Sequence, residues 1–132
     1  MLLGARPEEL AEWQHGPVTP AASLTFAASS DNQSQALDGV VEQVRRLVAR
    51  GADAVILIDT LDGVTPSVAR RVLASARNIV DGGSLTVIAT SANPVGGETT
   101  VIALERAASA AAGAAPAIDE TRSWTLRREL LT

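Results

Sequence analysis

Five short apolar runs, at residues 1–3, 23–28, 54–58, 84–89 and 100–104, are mostly separated by stretches long enough for a helix. Strands alternating with helices read as βαβ units, and these build a parallel sheet flanked by helices. The fold class expected is therefore α/β with a mostly parallel sheet. The central run, Val55-Ile56-Leu57-Ile58 within DAVILIDTLD, has the continuous apolar character of a buried parallel strand and ends in Asp59 and Thr60. A carboxylate at the C-terminal tip of such a strand is how many nucleotide-hydrolysing folds hold Mg²⁺. Its usual companion, the loop G-x-x-x-x-G-K-[ST], is excluded, because all eleven basic residues are Arg and the loop needs a Lys.

Helix signals fill the gaps between the runs. Pro7 followed by Glu8 and Glu9 suits a helix start, since Pro fits the first turn and acidic side chains favour the positive end of the dipole. That helix is expected to end near Gly16-Pro17. Leu37, Val40, Val41, Val44, Leu47 and Val48 recur at spacings of three and four, with Glu42, Gln43, Arg45 and Arg46 opposite, and predict a second helix stopped by Gly51. A third is predicted from Thr65-Pro66 through Val68, Val72, Leu73 and Ile79, closed by Asp81-Gly82-Gly83. Residues 91–98 read as a loop, 99–104 as a β-branched strand, and the Ala-rich segment 107–115 as a marginal helix or a connector.

With 132 residues, 46% of them hydrophobic, one domain spanning 1–132 with a real core is expected. Phe26, Trp13 and Trp124 are the aromatic residues, so that core is packed from Val, Leu, Ile and Ala. Zero Cys removes disulfides, thiolate catalysis and Cys-ligated zinc, and His15 alone builds no His-rich metal site. No apolar run approaches the roughly 18 residues of a membrane span, and the default reading is cytoplasmic, without membrane contact. A net charge of −4 argues against non-specific binding to DNA or RNA. The pairs Arg45-Arg46, Arg70-Arg71 and Arg127-Arg128 read first as solvated surface.

RPEEL at 6–10, GADAVILIDT at 51–60, ARNIVDGGSLTVIAT at 76–90 and PAIDETRSWTLRRELLT at 116–132 together resemble, in order, the ATPase core of the bacterial transcription termination factor Rho. The resemblance implies a RecA-type P-loop fold, here truncated, without the phosphate-loop strand and helix. It implies descent from a hexameric ring that hydrolyses ATP with Mg²⁺ and pulls on RNA. Asp59, followed by Thr60, takes the Walker B position, at most a weak Mg²⁺ ligand in this chain. The family's catalytic Glu, in DERPEEV, falls on Ala5, whose methyl group accepts no proton. Arg6 matches the Arg beside it, while Glu8 and Glu9 fall on the first turn of a helix that aims them elsewhere.

Both RNA-contacting loops of that family are short here. Thr60-Leu61-Asp62-Gly63 leads almost directly into Thr65-Pro66, and Ser91 to Gly96 leads straight to Gly97-Glu98, with Gly96 in place of a Lys. The arginine finger lands on Ala107, with Arg106 one position away. Arg6 and Arg106 are the candidate phosphate or interface contacts. Two unrelated chemistries fare worse. Asp59 and Asp62 are three apart where an aspartyl-phosphate motif needs two, and Gly82-Gly83 and Gly96-Gly97 form no G-x-G-x-x-G loop.

The expectation is a degenerate, non-hydrolysing Rho-like domain, needing no cofactor, that serves as a protein-interaction or regulatory module. A protein partner or self-association is expected, with RNA binding weak or absent. The competing expectation is a C-terminal fragment of a ring-forming, RNA-dependent ATPase, for which ATP and Mg²⁺ would be the cofactors.

Overall fold

The computed structural model describes residues 1–105 and 116–131, which fall into two compact units, residues 1–97 and residues 98–132. In the first unit β1 (Leu2–Ala5), α1 (Pro7–Gln14) and β2 (Ser23–Thr25) form one parallel crossover. The chain continues through α2 (Ser30–Ala49) to β3 (Asp53–Ile58), and through α3 (Pro66–Ala74) and β4 (Arg77–Asn78) to β5 (Ser84–Ala89). β3 and β5 pair in parallel over their whole length, from Asp53 opposite Ser84 to Ile58 opposite Ala89. β4 adds a short antiparallel strand on the outer edge of β5, opposite Ser84 and Leu85 only. The class is α/β, with small sheets.

β1 joins the side of β3 near its end. The Met1 amine donates to the Leu57 carbonyl at 2.7 Å, and the Asp59 N–H donates to the Met1 carbonyl at 3.2 Å. Beyond that point β1 runs on past the tip of β3. The core beneath these strands is Leu3, Leu37, Val41, Val48, Ile56, Ile58, Leu61, Val64, Ala69, Val72 and Leu85. It is aliphatic, as the scarcity of aromatics requires.

α2 follows its apolar period but starts earlier than that period does. Ser29 caps it by accepting the Asn32 N–H at 3.1 Å, and the next turn buries Gln33 and Ser34. Ser34 Oγ accepts the Thr65 N–H at 3.0 Å, tying α2 to the residue that precedes α3. Gly51 follows the helix with φ of 103°, a left-handed stop that costs Gly nothing.

Two expectations for the first unit change. α3 ends at Ala74, where Ser75 Oγ turns back to the Val72 carbonyl at 2.6 Å, so Ile79 is not helical. Arg77 and Asn78 become β4, and the Ile79 N–H closes the following turn on the Gly83 carbonyl at 2.9 Å. The run Val55–Ile58 is also not buried on both sides. Ile56 and Ile58 are each 4% exposed, whereas Val55 and Leu57 are each 60% exposed. α2 and α3 pack on the face carrying Ile56 and Ile58, and within residues 1–97 the other face is left open.

In the second unit β6 (Thr100–Val101) pairs antiparallel with β7 (Trp124–Thr125), and Leu104 bridges Ile118. The strand expected over 99–104 is thus reduced to a two-residue ladder with one isolated bridge. Asp119 organises the turn at its far end, accepting from the Thr121 N–H, the Thr121 hydroxyl and the Arg122 guanidinium. These bonds pull its carboxyl from the ordinary 3.8 down to about 2. Arg106 and the segment 107–115 lie outside the described residues.

Candidate functional site

Asp59 sits where β3 stops, and its carboxylate takes over the work of the ladder. One oxygen accepts the Leu3 N–H at 2.7 Å and the Thr60 N–H at 2.8 Å, and the other accepts the Gly4 N–H at 3.1 Å. A carboxylate holding several backbone N–H groups is a strong, charge-assisted junction. It fastens β1 to β3 at the point where the backbone pairing between them has ended. Gly4 makes the approach feasible, since a Cβ there would stand 2.7 Å from Thr60 Cγ2.

The surrounding loops are fixed by the same economy of short polar side chains. Thr60 Oγ1 accepts the Asp62 N–H at 3.1 Å. Asp62 Oδ1 accepts the Ala92 N–H at 2.8 Å, so the loop after β3 is pinned to the loop after β5. Thr90 reinforces this, its hydroxyl donating to the Asp59 carbonyl and its own carbonyl accepting the Leu61 N–H. Asp59, Thr60 and Asp62 are therefore brought together, each one bonded to backbone.

The remaining candidates are placed otherwise. Ala5 is 2% exposed at the end of β1. Arg6 is exposed just before α1, and its N–H donates to the Glu9 carboxylate at 2.9 Å. Glu9 is thus engaged as half of a capping box, and Glu8 is exposed on the same turn. Among the described residues no three His, Cys, Asp or Glu side chains come together in a way that would hold a metal ion. The sequence reading missed the amides of Leu3 and Gly4 as partners of Asp59. A Gly inside a strand was the available signal, because it marks a close approach of another group.

Transcription termination factor Rho of Akkermansia muciniphila is 35% identical over 111 residues, covering 68% of this chain and 23% of that protein. The Rho factors of Escherichia coli K12 and of Buchnera aphidicola subsp. Schizaphis graminum are each 28% identical over 166 residues, covering 100% of this chain and 40% of each protein. This chain is homologous to a part of Rho. No model of a known protein family matches it. The chain thus spans well under half the length of the Rho proteins it matches. An alignment of 166 positions against 132 residues also means that these Rho proteins carry 34 positions absent here. No helix among the described residues is long and apolar enough to cross a membrane.

Proposed function

We propose that this chain is a Rho-derived domain, degenerate in the RecA-type P-loop sense, that does not hydrolyse nucleotide and acts in the cytoplasm as a protein-interaction or regulatory module. The observation that supports it best is the commitment of Asp59 to the amides of Leu3, Gly4 and Thr60. A carboxylate offers about four lone-pair positions, of which three are taken. Mg²⁺ demands near-octahedral oxygen geometry, yet the neighbouring Asp62 carboxylate is itself engaged by the Ala92 N–H, and the chain has no Lys for a phosphate clamp. The residues present therefore do not fit a Mg²⁺-nucleotide site. Ala5, buried where the family has its catalytic Glu, adds to this reading.

RNA is a weak ligand at most on this reading. The chain carries a net charge of −4, and the loops after β3 and β5 are short and tied to each other through Asp62 and Ala92. The 34 positions missing against the Rho relatives agree with such shortening. DNA and membranes are not expected partners, whereas a protein partner or a second copy is. Arg6 remains a candidate interface contact.

A second reading, a piece of a ring-forming, RNA-dependent ATPase acting in termination, is favoured by the 40% coverage of the Rho relatives. ATP and Mg²⁺ would then be held largely by residues outside 1–132. Calorimetric titration with ATP and Mg²⁺, a phosphate-release assay and titration with cytosine-rich RNA at physiological salt separate the two. No heat, no turnover and no sub-micromolar RNA binding are expected. Micromolar ATP affinity or turnover above background overturns the proposal.

A further inference from the structure

The strands of the first unit lie side by side as β2-β1-β3-β5, so the step from β1 to β2 and the step from β2 to β3 run in opposite directions. Right-handed crossovers then set α1 and α2 on opposite faces. Side-chain alternation agrees. The Leu2 N–H donates to the Ala22 carbonyl on the β2 side and the Leu3 N–H to Asp59 on the β3 side. Leu3 belongs to the core beneath α2 and α3, so Leu2 points the other way, and it too is buried. Its cover is α1, which packs on β1 and β2. That second face thus carries a helix over β1 and β2 and, within residues 1–97, none over β3 and β5.

The open part has the dimensions of one more helix. Strands lie about 4.8 Å apart and a helix is about 10 Å across, so one helix covers two strands. Val55, Leu57 and Ile88 form an apolar floor that is more than half exposed. α1 forms the wall beside it. Leu10 is the α1 residue that is not exposed, and it marks the side resting on the sheet. From the turn of 3.6 residues, Glu9 and Trp13 fall on one flank with Glu12 above them, and a right-handed crossover turns that flank toward β3. α1 holds no basic residue, and Glu9 and Glu12 form no ion pair among the described residues. The trough is therefore apolar at its base and acidic along one rim.

We infer that this trough seats an amphipathic helix of a partner protein, its apolar stripe on Val55, Leu57 and Ile88 and its Arg or Lys residues along the edge that meets Glu9 and Glu12. Removal of the floor from water supplies the affinity, and parallel strands are ordinarily covered on both faces. The opposite charges set direction and speed encounter, while an acidic helix is repelled. No helix of the first unit serves as the occupant for a second copy. α1 is itself acidic, and the apolar sides of α2 and α3 are spent on their own sheet. The inference gives the partner class of the interaction module proposed above and rests on that reading. The two fail separately, because the titrations above follow nucleotide and RNA whereas the test below follows the sheet face.

The test is fluorescence anisotropy of a labelled helical peptide of about 14 residues, which matches the roughly 20 Å of a six-residue strand. The peptide carries Leu on one stripe and Arg on one flank. A second peptide has Glu in place of Arg, and a third has the composition of the first in scrambled order. The full chain should bind the Arg peptide with a micromolar Kd and the other two at least about tenfold more weakly. Leu57→Asp, a change at an exposed position, should abolish that binding. The pair Glu9→Gln and Glu12→Gln should weaken it about tenfold, and Gln at position 9 still accepts the Arg6 N–H, so α1 keeps its cap. Should Leu57→Asp unfold the chain, the Gln pair decides, since both positions are exposed. Equal binding of the Arg and scrambled peptides overturns the inference, as does no binding at all. So does a Kd that the Gln pair leaves unchanged, because the helix would then sit elsewhere.

Discussion

The two faces of the β3–β5 sheet are built from the same kinds of residue and live in different environments. On one, Ile56, Ile58 and Leu85 are each 4% exposed beneath α2 and α3. On the other, Val55, Leu57 and Ile88 are 60%, 60% and 55% exposed. Parallel sheets are ordinarily covered on both sides, and their strands accordingly read as unbroken apolar runs. The run Val55–Ile58 keeps that character where its own unit, residues 1–97, supplies only one cover. Residue type here records what a strand is suited to, and burial records what the rest of the chain provides.

Substitution on the covered face should have the largest effect. Leu37→Ala empties a fully buried site under the sheet and should lower stability by about 2–5 kcal/mol in chemical denaturation. Ile56→Ala on β3 itself should fall in the same range. If Leu57→Ala, its neighbour on the bare face, costs as much, the contrast between faces is broken.

Next comes the junction that seats Leu3, a fully buried member of the covered face, against β3. Asp59→Ala strands the Leu3 and Gly4 amides and should cost about 1–3 kcal/mol. Asp59→Asn, which still accepts at one oxygen, should recover part of it. A neutral Asp59→Ala would mean that β1 is held by packing alone.

On the bare face, Leu57→Ser should change stability by no more than about 0.5 kcal/mol, as surface replacements do. It should also reduce binding of a hydrophobic dye. A large destabilisation would show that this face is covered in solution.

The smallest effect belongs to the second unit, whose described ladder offers no comparable sheet face. The Asp119 carboxyl is lowered from 3.8 to about 2 by Thr121 and Arg122, so the folded turn binds its proton less readily than the unfolded chain does. The stabilisation is complete above pH 3.8 and is lost as pH falls through about 2. Amide signals of Thr121 and Arg122 should shift over that window, and in Asp119→Asn they should not. An unchanged titration in the variant would assign the shift to another group.

Much of this was legible in the sequence where one physical signal acted alone. The runs at 54–58 and 84–89 became β3 and β5 because apolar content, β-branching and flanking turns agreed. The second helix was found by its period, but its first turns were not. Ser30 to Ser34 is polar, and the burial of Gln33 and Ser34 depends on Ala28 and Thr65, which no local pattern reveals. α3 was read too long because Ile79 keeps helical phase with Val72 while in fact closing a turn onto Gly83. Asp59 was visible as a strand-end carboxylate. That its oxygens are spent on amides some fifty-six positions earlier was not, since that pairing exists only once the strands have met.

That separation bears on the order in which the molecule assembles. β3 and β5 meet across 31 residues, with α3 folded between them, whereas the bond from Leu3 to Asp59 closes a span of 56. Contacts of greater sequence separation pay more chain entropy before they return anything. The three-element segment β1–α1–β2, with its helix scarcely buried, then docks late on an already formed α2–β3–α3–β5 nucleus and is the first to detach. Native-state hydrogen exchange would register it as faster exchange at Leu3 and Gly4 than at Ile56 or Val87. The order reverses if the carboxylate of Asp59 gathers β1 early.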